Sequence, residues 1–423
     1  MDSLSIVHIK NSEVLGMSEV IDRFFKYIKI DTQSKDDVKE FPSTEKQKNL
    51  AKVLVEELKE MGIENAHMDE YGYVYASIPA TSDEKLPVIG FISHMDTSPS
   101  VSGKDVNARI EKFDGDKVVL GGNYVLSASE YPELKKYKDC ELIVTDGTTL
   151  LGADDKAGVA EIMTFVHRLL KDKPFKHGEI KIAFTPDEEV GRGVDFFDVK
   201  KFGADYAYTV DGGELGEIEY ENFNAASFRL TIHGKNIHPG SAKGKMKNAI
   251  LMGMEFQNML PVFENPAFTE KYEGFYHLDG FNGDVEKAEL VYIIRDHDMD
   301  KFKAKKSRVE KICAYMNEKY GEGTFEYILK DSYYNMKEKV LEHFHLVENA
   351  KKAMIDLGVE PKVIPIRGGT DGARLSFMGL PCPNLCTGGA NFHGRFEYIP
   401  VKSMEKITDI LMEITKIYST VAK

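Results

Sequence analysis

The order of strand and helix patterns along the chain constrains its fold more than any other feature. A buried-type strand, "PVIGFISH", precedes a helix predicted from Asp155 to about Lys171, and the strands "EIKIAFT" and "ADYAYTVD" follow. Strand and helix patterns that alternate in this way indicate an α/β domain with a largely parallel central sheet.

From about Asn222 the pattern changes to the order β-α-β-β-α-β, which is typical of a small α/β sandwich. The first pattern then resumes with the helix "VLEHFHLVENAKKAMIDLG" and ends with a helix from about Val401. We therefore predict a main domain formed by residues 1–221 and 335–423, interrupted by an inserted domain at residues 222–334. A chain of 423 residues is long enough for two hydrophobic cores.

Charge and composition exclude several classes of partner. The formal net charge of −14 argues against nucleic acid or an anionic membrane as the main partner. No apolar run approaches the roughly 18 residues of a membrane span, and the N-terminus lacks the apolar segment of a signal peptide. The first clear amphipathic helix begins at Met17, so the first sixteen residues are either an extension or precede the true start.

The chain contains four cysteines, which is sparse usage for its length and indicates a reducing compartment. We therefore expect a cytoplasmic protein. The segment "CPNLC" contains a proline and has no second cysteine pair elsewhere, so we interpret its cysteines as buried thiols and not as a zinc site.

Histidine and acidic side chains lie where the strands of the main domain are predicted to end. They are His94 and Asp96 in "SHMDTS", Asp154 and Asp155 in "LLGADDKAG", Glu188 and Glu189 in "PDEEVG", Asp211 in "TVDGG" and His393 in "NFHGRF". Open α/β sheets bind ligands outside the carboxyl ends of their strands, so these segments are expected to converge. Each residue alone is more often a turn former than a ligand, and Asp155 alone is an ordinary helix N-cap. Together they match the ligands of a zinc site without thiolates, with one carboxylate shared by two ions.

Six segments carry a resemblance to a known family: "SHMDTSPSVSG", "LLGADDKAGVAEIMT", "FTPDEEVGRG", "YTVDGGELGEIEYENFNAA", "NIHPGSAKGKMKNA" and "NFHGRFEYIP". Together they resemble the peptidase T family, within the di-zinc metallopeptidase superfamily that includes carboxypeptidase G and succinyl-diaminopimelate desuccinylase. The resemblance extends from Met17 to the end of the chain. It implies a zinc-peptidase-like catalytic domain, two Zn²⁺ ions per subunit and hydrolysis of the N-terminal peptide bond of tripeptides.

Two other functions stay open at this point. Another amide hydrolase of the same superfamily, such as a carboxypeptidase, a dipeptidase or an N-acyl amino acid deacylase, would use the same metal centre. A metal-stabilised scaffold protein without activity is disfavoured, because Glu188, which matches the base of the family, is present.

The resemblance also implies a role for each matching residue. Asp96 would hydrogen-bond the free nitrogen of His94 and fix its tautomer. Glu188 would be the general base, which requires that it is not consumed as a ligand. The peptide bond after Asp154, the aspartate that would bridge the two ions, would be cis. Apart from the resemblance, Asp187 is expected to form a turn or to support its neighbours. The implied ligands are His94 and Asp211 for one ion, Glu189 and His393 for the other, and Asp154 as the bridge.

Three more residues are candidates outside the metal centre. His238 in "NIHPGSA" is a turn histidine when taken alone, but the resemblance implies that it hydrogen-bonds the developing oxyanion, often in the partner subunit's active site. Arg367 and Arg295 are candidates for binding the terminal carboxylate of a peptide, because a guanidinium group matches a carboxylate bidentately. We favour Arg367, since a structural ion pair with Asp296 or Asp298 is a strong alternative for Arg295.

The charged helix and the edge strand of the inserted domain have two interpretations. They form the surface of a homodimer, which we favour, or they are an ordinary solvated face.

Overall fold

The computed structural model of the protein describes residues 18–420. The alternative of a start at Met17 therefore lies outside the described residues. Between residues 18 and 420, no helix combines the length and the apolar character needed to cross a membrane. All four cysteines are unpaired, and Cys382 and Cys386 of "CPNLC" are buried, as predicted.

Strands and helices alternate along the chain. In the described part of the chain, the strands are β1 (His67–Met68), β2 (Val74–Ile78), β3 (Ile89–His94), β4 (Ala108–Lys112), β5 (Lys117–Gly121), β6 (Tyr124–Ser127), β7 (Glu141–Thr145), β8 (Ile180–Thr185), β9 (Tyr206–Gly212), β10 (Glu217–Glu219), β11 (Asn224–His233), β12 (Phe275–Gly283), β13 (Lys287–Asp296), β14 (Phe325–Tyr333), β15 (Lys362–Val363), β16 (Asn384–Cys386) and β17 (Tyr398–Pro400). The α-helices of the same residues are α1 (Glu19–Tyr27), α2 (Gln47–Glu60), α3 (Ala153–Asp172), α4 (Val199–Phe202), α5 (Ala249–Asn258), α6 (Met299–Tyr320), α7 (Lys337–Leu341), α8 (His345–Asp356), α9 (Asp371–Phe377) and α10 (Val401–Tyr418).

The main sheet, within the described residues, has eight strands in the order β1-β2-β8-β3-β9-β16-β10-β15. Its central pairs, β8–β3, β3–β9 and β9–β16, are parallel, whereas β2–β8 and β10–β16 are antiparallel. β3 is buried along its whole length because β8 and β9 flank it and α3 covers it. The predicted α/β class is confirmed, with a sheet that is parallel at its centre and mixed towards its edges.

Helix α3 crosses the sheet at close range. A methyl group on Gly158 would overlap the carbonyl oxygen of Val210 in β9 and would lie 2.6 Å from the hydroxyl of Ser93 in β3. Glycine is therefore required at the crossing, because any side chain would push the helix away from the sheet. This close contact brings the first turn of α3 to the carboxyl ends of β3 and β9.

The inserted domain has a four-stranded antiparallel sheet in the order β12-β13-β11-β14. Helices α5 and α6 pack against β13, and a separate hydrophobic core forms between the helices and the sheet. Alternate residues of β13 are buried, as expected for a strand with one face on a core and the other face open. The predicted order β-α-β-β-α-β is confirmed.

A further region was not predicted from the sequence. Strands β4, β7 and β17 form a three-stranded sheet, and β5 pairs with β6 in a hairpin. Their apolar side chains, including those of Phe113, Leu126 and Tyr398, form a core of their own. This region connects the segment after β3 to the end of the loop that contains His393.

Candidate active site

Five predicted ligand residues meet at one edge of the main sheet. His94 is the last residue of β3, and Asp211 lies near the end of β9. Because these strands and β8 run parallel, their carboxyl ends meet at the same edge. Glu189 follows β8 in a short 3-10 turn, Asp154 lies in the first turn of α3, and His393 lies in the loop before β17. The Asp154–Asp155 peptide bond is cis, as the resemblance implies.

The two oxygens of the Asp154 carboxylate face two different histidines. Asp154 Oδ1 lies 2.9 Å from His94 Nε2, which is also 3.3 Å from Asp211 Oδ1. Asp154 Oδ2 lies 2.9 Å from His393 Nε2, which is also 2.9 Å from Glu189 Oε2. The site therefore consists of two adjoining groups that share one carboxylate.

Both groups have the spacing and the chemistry of metal ligands. In each group, the candidate ligand atoms all lie within 4.8 Å of one another. Ligand atoms around a tetrahedral ion with bonds of about 2.0–2.1 Å lie about 3.3 Å apart, close to the separations seen here. Glu189 Oε1 is buried and has no hydrogen-bond partner among the described residues, as expected of an oxygen that binds a cation. The residues present thus fit a dinuclear metal site.

Burial and charge oppose each other within this cluster. Burial lowers the pKa of His94, but the carboxylates of Asp211 and Asp154 outweigh it and hold that pKa well above its ordinary value. The pKa of Glu189 is raised to about 8, mainly by burial and then by the charge of Asp154. Hydrogen bonds to Asp154 and Glu189 raise the pKa of His393 to about 11. The cluster therefore has more negative charge than its own residues neutralise, a condition that bound cations relieve.

Asp96 holds the turn that contains the two glutamates. Its carboxylate accepts hydrogen bonds from the backbone N–H groups of Glu188 at 3.0 Å and Glu189 at 3.2 Å. His94 Nδ1 donates a hydrogen bond to the backbone oxygen of Asp96 at 3.0 Å, and a carboxylate oxygen of Asp96 lies 3.4 Å from the same nitrogen. A carbonyl only accepts, so His94 Nδ1 is the donor of this bond, and Nε2 is the nitrogen that faces Asp154 and Asp211.

The three consecutive carboxylates of "PDEEVG" have separate surroundings. The Asp187 carboxylate accepts hydrogen bonds from the backbone N–H of Ser43, at 2.6 Å, and from the side chain of Gln47, also at 2.6 Å. It thereby ties the turn to the start of α2. Glu189 belongs to a ligand group, whereas Glu188 belongs to neither and lines the adjacent cleft.

That cleft has a volume of about 590 Å³ and is shared by the two domains. We call it the interdomain cleft. The main domain lines it with Glu188, Glu189, Gly191, Arg192, Asp195, Gly369, Thr370, Asp371, Arg374 and His393, and the inserted domain with Arg295, Ser332 and Tyr333.

The other predicted site residues lie in three different places in the structure. Arg295 lines the interdomain cleft, but Arg367 is outside its lining. The Arg367 guanidinium donates to the backbone oxygens of Lys271 and Glu273, at 2.6 and 3.1 Å, and so ties down a loop. His238 is exposed on the inserted domain, where its Nδ1 accepts a hydrogen bond from the N–H of Gly240.

Two buried carboxylates at the site were missed from the sequence. Glu397 accepts hydrogen bonds from the backbone N–H groups of Leu151, Gly152 and Asp154, at 2.7 to 3.1 Å, and so fixes the loop that carries the shared ligand. Asp371 accepts a hydrogen bond from the Thr185 hydroxyl at 2.8 Å, and burial raises its pKa to about 7. Glu397 stands in the segment "NFHGRFEYIP", but a local sequence pattern does not reveal a partner more than 180 residues away, as both carboxylates have.

Comparison with known proteins identifies the family to which the chain is similar. Residues 220–323 match the family model described as peptidase dimerisation domain. The chain is 58% identical over 405 residues to a protein named peptidase T from Caldanaerobacter subterraneus subsp. tengcongensis, covering 95% of this chain and 99% of the relative. It is 58% identical over 407 residues to the peptidase T of Halothermothrix orenii, covering 96% of this chain and 100% of the relative.

Solved structures agree with this placement. The aminopeptidase PepT of Bacillus cereus has a TM-score of 0.76 at 25% identity, covering 95% of this chain and 98% of that one. A dinuclear metal binding peptidase of the M20 family from Bacillus subtilis has a TM-score of 0.61 at 15% identity, covering 95% of this chain and 97% of that one. The second likeness shows a shared fold alone.

An α/β domain with paired ligand groups at its strand ends, interrupted by a peptidase dimerisation domain, defines a metallopeptidase. Within this class the chain belongs to the peptidase T family, because relatives with more than half of their residues identical cover nearly its whole length. The resemblance in the six sequence segments is thereby confirmed.

The role of Glu397 leads to a first prediction. Glu397→Gln keeps the side-chain length but replaces one acceptor oxygen with a donor, so the loop that holds Asp154 loses at least one hydrogen bond. We expect the affinity for divalent metal ions to fall about 10- to 100-fold. Competition with a chromophoric chelator measures this change. Glu413→Gln, which alters only a surface pair with Lys416, is the control, and equal affinities for both variants would contradict the prediction.

Proposed function

We propose that the protein is a di-zinc aminopeptidase that hydrolyses the N-terminal peptide bond of tripeptides. One observation carries this proposal: the two oxygens of Asp154 face two ligand groups, and Glu188 lies next to them outside both groups. The names of the relatives, peptidase T, and the similar fold of an aminopeptidase support the same activity.

The ligand chemistry supports zinc. Each group offers one imidazole nitrogen together with carboxylate oxygens, which Zn²⁺ accepts in sites without thiolates. When bound, the two ions would lower the pKa of a water molecule and polarise the scissile carbonyl. The residues that would hold them are His94 and Asp211 for one ion, Glu189 and His393 for the other, and Asp154 for both.

The chain itself provides the proton transfers. Glu188 lies in the same 3-10 turn as Glu189, and its backbone N–H is fixed by the carboxylate of Asp96. Glu188 would take the proton of the attacking water and return it to the leaving amine. Neighbouring positions in one turn let Glu189 bind a cation while Glu188 stays free for the proton.

A substitution at Glu188 separates base from ligand. Glu188→Gln leaves both ligand groups intact, so we expect two metal ions per subunit to remain while kcat falls by about 10²- to 10⁴-fold. Steady-state kinetics and elemental analysis of the same preparation measure both quantities. Glu45→Gln, at an exposed carboxylate paired with Lys48, is the control. Full activity in a Glu188→Gln variant that holds both ions would refute the general-base role.

The ends of the substrate distinguish an aminopeptidase from related amide hydrolases. We expect a free tripeptide to be cleaved with a higher kcat/KM than its N-acetylated form, because an aminopeptidase selects a free terminal amine. Product analysis identifies which bond is cleaved. A preference for the acetylated peptide would instead favour an N-acyl amino acid deacylase, and release of the last residue would favour a carboxypeptidase.

We further propose that the enzyme is a homodimer in which His238 acts in the partner subunit's active site. The match to a peptidase dimerisation domain supports the assembly. The exposure of His238, and its position outside the lining of the interdomain cleft, support action between subunits. Its Nδ1 accepts from Gly240, so Nε2 bears the proton and is free to donate to an oxyanion.

Complementation tests the action of His238 between subunits. Glu188→Gln and His238→Ala dimers are each expected to be nearly inactive. After the two variants are mixed and their subunits exchanged, half of the dimers are mixed, and one of the two sites in each is complete. Activity should therefore recover to about a quarter of the wild-type value. If His238 acts within its own subunit, the mixture stays inactive.

We also propose a cytoplasmic location. The four unpaired cysteines support it, because thiols persist in reducing compartments.

A further inference from the structure

Two donor atoms on the inserted-domain side of the interdomain cleft have no partner. The Tyr333 hydroxyl and Arg295 Nε are both buried and make no hydrogen bond to any described residue. Both residues line the cleft. A buried polar atom without a partner is unfavourable, and here two donors, one of them cationic, are left unsatisfied together.

The sheet register places these residues side by side. Ala225 in β11 is directly opposite Arg295 of β13 on one side and Tyr333 of β14 on the other. Residues directly opposite one another in antiparallel strands point to the same face of the sheet. Arg295 and Tyr333 therefore flank the small side chain of Ala225 on the open face, and the space above its methyl group lies between them.

Both side chains are held in place by the main domain. The Tyr333 ring packs so closely on Gly369 that a methyl group there would lie 2.9 Å from it. Arg295 Nη1 donates to the backbone oxygen of Arg367 at 2.9 Å, which leaves Nε to face a ligand. The tyrosine ring would pack equally well without its hydroxyl, so packing alone does not account for that group.

The other arginines of the cleft are already engaged. Arg374 bonds to Asp195 at 2.7 Å and to the backbone oxygen of Gly191 at 3.0 Å. Arg192 donates to the backbone oxygens of residues 38 and 40. Among the described residues, Arg295 is thus the lining arginine that has a buried nitrogen without a partner.

The lining of the cleft next to the metal centre is acidic. The carboxylates of Glu188, Glu189 and Asp371 line the side next to the metal centre, where an anion without a metal contact is disfavoured. Tyr333 is near both this acidic lining and Arg295, since the charges of Glu188 and Arg295 both act on its hydroxyl. Burial raises the pKa of its hydroxyl, the charge of Arg295 lowers it, and the charge of Glu188 raises it.

We propose that Tyr333 is a specificity-determining residue whose hydroxyl donates a hydrogen bond to the C-terminal carboxylate of the tripeptide, beside Arg295 Nε. This inference rests on the proposed function. When the first peptide bond of a tripeptide is at the metal centre, its carboxylate lies two residues further on, about 7 Å away if extended. Because the two donors are fixed at one distance from the metal centre, they select peptides whose carboxylate reaches that position. A longer peptide would place a neutral amide there instead.

The hydroxyl and the substrate carboxylate are tested together. We expect Tyr333→Phe to lower kcat/KM for a free tripeptide by roughly 10- to 100-fold, mainly through KM, because a hydrogen bond to a charged group is lost. For the C-amidated tripeptide, which lacks the charge, we expect a change of at most a few-fold. The substitution should therefore reduce the preference of the enzyme for the free carboxylate.

The neighbouring tyrosine provides a matched control. Tyr334 is partly exposed, and its hydroxyl donates to Asp331 Oδ2 at 2.8 Å, away from the interdomain cleft. Tyr334→Phe should leave both substrates unaffected. Thermal unfolding of both variants checks that the fold is intact.

Each other outcome is decisive. Equal losses on the free and the amidated peptide, or no loss on either, overturn the assignment of Tyr333 while the proposed aminopeptidase activity stands. A wild-type enzyme that fails to cleave the free tripeptide, or that prefers its N-acetylated form, overturns the proposed function and this inference with it.

Discussion

The position of one carboxylate, that of Asp154, governs the whole site. Its two oxygens face two histidines that come from segments more than 290 residues apart, and each ligand group is complete only with it. Two features of the fold hold it there. Glu397 binds the backbone of the loop that carries it, and Gly158 allows α3 to lie directly on the sheet. The metal centre is therefore a product of how closely this helix packs on β9.

The tight turn after β8 shows how adjacent residues of the same type acquire different tasks. Asp187 binds the start of α2, Glu189 joins a ligand group, and Glu188 faces the cleft. Asp96 accepts the N–H groups of both glutamates, so the backbone of the turn is fixed before either side chain acts. The separation of ligand from base thus depends on the conformation of the turn as well as on the residue types.

The features that could be predicted from the sequence are those that depend on local patterns of residues. Strand-end positions and motifs identified the residues that the structure brings together, and the β-α-β-β-α-β order identified the inserted sheet; its limits at 222 and 334 stay a prediction. The short strands β4 to β7 were missed, because few residues define each of them. Glu397 and Tyr333 were missed because their importance arises only from contacts across the fold. The preference for Arg367 over Arg295 rested on the acidic neighbours of Arg295 in the sequence, whereas the contacts place Arg295 in the cleft.

The two histidines of the site differ greatly in their exposure to solvent. The side chain of His94 is 1% exposed, whereas that of His393 is 50% exposed. A ligand that is open to water can detach and be replaced by solvent more readily than one enclosed by protein. The two halves of a dinuclear centre built on these residues would therefore be unequal in kinetic lability. The ion next to His393 would exchange first, and the one beside His94 would act as the permanent member of the pair.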